Sequence, residues 1–103
     1  MYMYEHLVSF KFKEDVSPEK QQELALQLLA FKGKIPGILE VTAGVNATEE
    51  TDRAQGYTLG LRVSFKDKEA LDGYLPHPVH KEFLEAIDGL IENVIVVDYE
   101  VAW

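Results

Sequence analysis

The chain contains no cysteine. Disulfides, thiolate nucleophiles and thiolate metal ligands are excluded at once. Positive charge is the next shortage: 10 lysines and arginines stand against 18 acidic residues, a formal net charge of −8. No basic stripe is available to neutralise phosphates, which argues against nucleic acid or an anionic membrane as a partner. No apolar run approaches the roughly 18 residues that a membrane helix needs. The opening stretch, MYMYEHLVSFKFK, is apolar but alternating, without the basic start and cleavage site of a signal peptide. A cytoplasmic protein is therefore expected. Phosphate-cradling loops are missing too, since GKIPG and GYTLG have neither the motif nor its context, and no GxSxG elbow occurs. No strand carries the aromatic and basic pattern of a single-strand nucleic-acid binder. No cofactor is expected.

What is present is ordinary globular material, 47% hydrophobic and 27% charged over 103 residues. That length implies one domain, residues 1–103, which buries only about 65% of its unfolded surface and would gain from a second copy. Tyr4, His6, Val8, Phe10 and Phe12 alternate with Glu5, Leu7, Ser9 and Lys11, the period of a strand. Ser17 and Pro18 suit the cap and first position of a helix, and Leu24, Leu28 and Phe31 give it an apolar stripe. Gly33 is expected to take the left-handed conformation that ends it, with IPG blocking any continuation. In ILEVTAGVN, Leu39, Val41, Ala43 and Val45 alternate with Glu40, Thr42 and Gly44. ATEETDRAQG reads as an exposed loop, and YTLGLRVSF alternates again from Tyr57 to Phe65. Asp67 is a fitting cap for a short helix carrying Leu71 and Tyr74. LPHP stops that helix, and a second begins at Pro78 with Val79, Phe83, Ala86, Ile87 and Leu90 on its apolar face. NVIVVDYEVAW ends the chain as a strand.

The order β-α-β, β-α-β is the split βαβ pattern of a ferredoxin-like α+β fold: four antiparallel strands with helices on one face. The other face is not very polar. Met3 and Leu7 of the first strand, with Ile95, Val97, Tyr99, Val101 and Trp103 of the last, point to it. The simplest cover is the sheet of a second copy, so a two-fold homodimer packed sheet to sheet is expected.

The residues that could carry chemistry are the three histidines and one tyrosine. His6 is the only strongly polar member of a core-facing strand side, and a buried imidazole needs a partner. His77 precedes Pro78, which pushes it to the cap position of the second helix. His80 lies in the first turn, on an edge shared with Leu84 and Ile87. Tyr74 closes the short helix, within reach of an imidazole. A neutral imidazole beside a phenol is a usable acid–base pair: the ring takes a proton and the hydroxyl supports a developing oxyanion. The chemistry this suggests is proton abstraction next to a carbonyl, in a small apolar cavity between helices and sheet. A metal site built from His77, His80 and His6 with Asp72, Glu82 or Glu85 lacks any HExxH or EF-hand context.

HLVSFKFKEDVSPE, IPGI followed by GVN, GYTLGLRVSF and, above all, YLPHPVHKEF closing on VVDYE resemble the stress-responsive A/B barrel (Dabb) family over nearly the whole chain. The resemblance implies a dimeric α/β barrel of ferredoxin-like type. It also implies site residues, because a polyketide-cyclase member of the family has a catalytic tyrosine and histidine that fall on Tyr74 and His80. A first-strand pocket histidine falls on His6, and the HPxH segment puts His77 at a family position. A further pocket histidine falls on Leu59, so the pocket here is less polar at that point. His6, Leu59 and His77 are the ligand-lining residues expected on this basis, joined by Phe83 from the apolar face of the second helix. Three functions fit: a non-catalytic protein binding a small apolar or aromatic carbonyl ligand, a cofactor-independent cyclase or lyase, and a structural oligomer.

Overall fold

A computed structural model describes residues 3–102; Trp103, expected on the open sheet face, lies outside the described residues. Strand β1 (Tyr4–Phe12) leads to helix α1 (Pro18–Leu29), which tightens into a 3-10 turn over Ala30–Gly33. Strand β2 (Ile38–Val45), a single turn of helix α2 (Thr51–Ala54) and strand β3 (Leu59–Phe65) follow. Helices α3 (Lys68–Tyr74) and α4 (Pro78–Ile87) then cross back to strand β4 (Ile91–Glu100). The strands form one antiparallel sheet in the order β2-β3-β1-β4. This is the ferredoxin-like α+β arrangement that the element order implies.

The helix starts follow their cap chemistry. The Ser17 hydroxyl accepts the Lys20 amide at 3.1 Å, and the Asp67 carboxylate accepts the Ala70 amide at 2.9 Å. Each satisfies a donor that the first turn would otherwise leave free. α1 does not end on a left-handed Gly33, because the 3-10 turn carries the chain onward. Gly37 takes the positive φ instead, at +86°, where a Cβ would collide with Ala70. α4 likewise stops at Ile87, before Leu90, and Gly89 makes the left-handed turn into β4.

Two local readings change. The alternation assigned to β2 puts Leu39 inside. A β-bulge between Ile38 and Glu40 shifts the phase, so Ile38 and Val41 are buried and Leu39 is exposed. The acidic segment after β2 is exposed as expected but contains the short helix α2, and β3 begins at Leu59 rather than Tyr57.

The core lies between the helices and one sheet face. Phe31, Leu24 and Leu28 of the α1 segment pack over Leu59, Val63 and Phe65 of β3, all almost wholly buried. Each such side chain contributes about 1.5–3 kcal/mol through burial. The opposite face is mixed rather than apolar. Ile95, Val97 and Tyr99 of β4 are exposed there, but β1 and β3 carry a charged cluster on the same side. Glu5 is only 5% exposed, and its carboxylate accepts the Ser64 hydroxyl at 2.9 Å and pairs with Arg62 Nε at 3.2 Å. Arg62 also reaches Glu40 at 2.6 Å. Its guanidinium pKa is raised, first by the Glu40 hydrogen bond, then by the nearby Glu5 charge, against the opposing effect of burial.

Candidate functional site

The site forms where β1 and β4 meet the α3–α4 turn. His6 enters from β1 because the inward side of that strand includes position 6; it is 5% exposed. Tyr74 is the last residue of α3, buried to 1% exposure, and His80 sits in the first turn of α4 at 8%. Short helices joined by LPHP allow this convergence. Pro76 and Pro78 break the helical path, so the end of one helix and the start of the next face the same sheet.

The tyrosine ring lies between the two imidazoles. Its centroid is 5.1 Å from that of His6 and 4.7 Å from that of His80. Phe31 backs the group from the 3-10 turn that follows α1, 6.0 Å from Tyr74 and 6.3 Å from His80. His6 is held from outside by its register partner on β4: Asp98 Oδ1 is 2.5 Å from His6 Nδ1. Two hollows adjoin these rings. An inner cavity of about 160 Å³ is walled by His6, Leu61, Tyr74, His80, Phe83 and Val94 among others. A wider groove of about 590 Å³ runs over His6, Tyr74 and Val96 to a rim of Lys68, Asp98 and Glu100. His6, Tyr74, Leu75 and Val96 belong to both.

Electrostatics sort the groups. Burial pushes the Tyr74 phenol well above its ordinary range, and the Asp98 charge pushes the same way. Burial lowers the His80 imidazole, the neighbouring His6 lowers it further, and a backbone hydrogen bond at Leu75 works in the opposite direction. At neutral pH the pair is therefore a neutral phenol beside a neutral imidazole. His80 Nδ1 is buried and has no hydrogen-bond partner, an exception to the rule that buried polar atoms are satisfied.

Of the residues expected from the sequence, the structure brings His6, Tyr74, His80 and Phe83 to one cavity. His77 stands apart. Its Nδ1 accepts the Val79 amide at 3.1 Å and caps α4, which is the structural role its place before Pro78 suggests. Leu59 is a core residue, 1% exposed; Leu61, one inward position along β3, is the leucine that walls the inner cavity. Asp98 is the residue the sequence reading missed. It continues the inward alternation of Val94 and Val96, and β4 pairs with β1, so its placement opposite His6 was the available signal. Among the described residues no group of three histidine or carboxylate side chains is placed to hold a metal ion, and no helix is long and apolar enough to cross a membrane.

The fold and site together define an α+β, ferredoxin-like protein with a histidine–tyrosine cavity between sheet and helices. The chain belongs to the stress-responsive A/B barrel domain family, Dabb, whose model matches residues 4–101. It is 34% identical over 95 residues to a stress-response A/B barrel domain-containing protein of Arabidopsis thaliana, HS1, covering 92% of this chain and 86% of that one. It is 27% identical over 94 residues to the olivetolic acid cyclase of Cannabis sativa, covering 91% and 92%. Among solved structures, a dimeric ferredoxin-like protein of unknown function from Jannaschia superposes with a TM-score of 0.81 at 29% identity, covering 96% of this chain and 99% of that one.

Proposed function

We propose that this chain is a one-domain, homodimeric member of the family that binds a small apolar or aromatic carbonyl compound between its helices and its sheet. One observation carries the reading: His80 walls a cavity beside Tyr74 and has a buried ring nitrogen with no partner. Leaving such an atom unpaired is costly, and a ligand that pairs with it recovers the cost. A purely structural oligomer has no use for that atom, and an apolar side chain would fill the position better. The dimer is supported by the description of the Jannaschia neighbour and by the exposed Ile95, Val97 and Tyr99 on the open sheet face. Sedimentation at micromolar concentration is expected to give twice the chain mass.

The binding test is a thermal-shift screen with small aromatic ketones and aldehydes. A compound at 100 times its Kd stabilises the fold by about 2.7 kcal/mol, which raises Tm by roughly 10 °C or more in a domain of this size. His80→Leu is expected to abolish the shift. No shift from any compound in wild type overturns the reading.

A second reading, cofactor-independent cyclase or lyase chemistry, is favoured by the 4.7 Å placement of Tyr74 and His80 and by the similarity to a cyclase. In it the lone pair of neutral His80 takes a proton from the carbon next to the carbonyl, and the electron pair moves onto the carbonyl oxygen. Tyr74 donates a hydrogen bond to that oxygen. Tyr74→Phe and His80→Ala with folding intact are then expected to remove turnover. Retained turnover in both would discard the catalytic assignment and keep the binding one.

A further inference from the structure

His6 and Asp98 are opposed in the β1–β4 register, with His6 Nδ1 2.5 Å from a carboxylate oxygen. A carboxylate offers only acceptors, so the proton between them sits on Nδ1. In a neutral ring that leaves Nε2 as a bare lone pair. His6 walls both the inner cavity and the outer groove. We propose that Asp98 is a positioning residue that fixes His6 as a hydrogen-bond acceptor toward the ligand, so that the site selects compounds bearing a neutral hydroxyl, a phenol or enol, over the corresponding ethers.

The rim supports the neutral form of that hydroxyl. Asp72, Asp98 and Glu100 line the groove against Lys68, and Lys68 is already paired with Asp72 at 2.6 Å. An anionic phenolate or carboxylate meets net negative charge on entry; an uncharged hydroxyl does not. The division of labour is also chemically complete. Tyr74 brings a donor, kept protonated first by burial and then by the Asp98 charge, and His6 an acceptor, held by the same Asp98. Without a carboxylate partner, His6 would be free to place its hydrogen on Nε2 and would turn from acceptor to donor.

This inference rests on the ligand-cavity reading, and two measurements separate them. The first needs no ligand: long-range ¹H–¹⁵N NMR of the three histidine rings, with His6 identified by its loss in His6→Gln. The Nδ1–H tautomer is expected in wild type, with the constraint lost in Asp98→Ala, a substitution at a partly exposed position on an edge strand. An Nε2–H tautomer in wild type, or a ring carrying hydrogen on both nitrogens at neutral pH, overturns the proposal whatever binds. The second compares 4-ethylphenol with 4-ethylanisole by calorimetry. Wild type is expected to prefer the phenol by about three- to tenfold, the worth of one hydrogen bond. In Asp98→Ala that preference falls below about twofold, and Asp98→Glu restores it. A merely structural role for Asp98 would weaken both probes equally, and that result overturns the selection. Binding of neither probe to wild type, with the Nδ1–H tautomer present, overturns the selection; the cavity reading falls with it only if the ketones and aldehydes of the thermal-shift screen also fail to bind.

Discussion

The rings of Tyr74 and His80 lie 4.7 Å apart at an interplanar angle of 59°, and burial moves their proton affinities in opposite directions. The Tyr74 phenol is raised and the His80 imidazole lowered. Both effects oppose charge, so the pair resists ionisation from either side. Each limb has a consequence for stability.

On the alkaline side, an unfolded tyrosine ionises near its ordinary value of 10.0, while folded Tyr74 stays protonated. Its contribution is complete below that pH and is lost as pH rises through it, by up to about 1.4 kcal/mol per unit. Urea unfolding from pH 8 to 11 should show a steeper loss in wild type than in Tyr74→Phe. Parallel curves would mean that Tyr74 ionises in the folded protein as freely as in the unfolded one.

On the acid side, unfolded His80 takes a proton near 6.5, while the folded ring takes it only at lower pH. Stability is therefore full above the unfolded value and falls as pH drops toward the folded one. His80→Leu removes that loss together with the unpaired nitrogen. The variant should match or exceed wild type at pH 7.5 and exceed it by up to about 1 kcal/mol at pH 5.5. An unchanged pH dependence would assign the acid limb elsewhere.

Much of this arrangement is legible in the sequence because it is local. The alternation of β1 places His6 inward, Ser17 and Asp67 announce their helices, and Pro78 fixes both the start of α4 and the capping duty of His77. What the sequence hides depends on pairing between distant segments. The bulge that turns Leu39 outward arises only where β2 meets β3. The burial of Glu5 needs Arg62 and Ser64 from the neighbouring strand, and the Asp98 partner of His6 needs the β1–β4 register. Gly33 and Gly37 both follow α1, and choosing between them needs the position of Ala70 across the fold.

Phe31 ties the core to the site. It is 1% exposed and meets Phe83 edge-on at 5.9 Å, with Tyr74 and His80 close by. Phe31→Ala should cost about 3–5 kcal/mol, the burial lost plus the cavity left. That is a large share of a small domain's stability, and Tm should fall by roughly 12 °C or more. Phe31→Leu should lose less than half as much. Equal losses would indicate that the edge-on aromatic packing, not the filled volume, matters at this position.

Gly60 tests whether a second sheet covers the open face. It is paired with Gly44 on one side and Ser9 on the other, and this row of small residues leaves a shallow dent in the sheet. A Cβ at Gly60 would meet nothing nearer than the Gly44 carbonyl oxygen at 3.9 Å, and its φ is not left-handed. Within one chain, valine therefore fits and suits a strand better than glycine. Against a second copy it overfills the face, at about 1–3 kcal/mol for each copy. Gly60→Val should keep the wild-type circular dichroism and melting of the isolated chain. Its dimer dissociation constant, measured by sedimentation, should rise by roughly tenfold or more. A dimer of undiminished affinity would place the interface away from this dent, with the glycines then serving neither the fold of one chain nor its pairing.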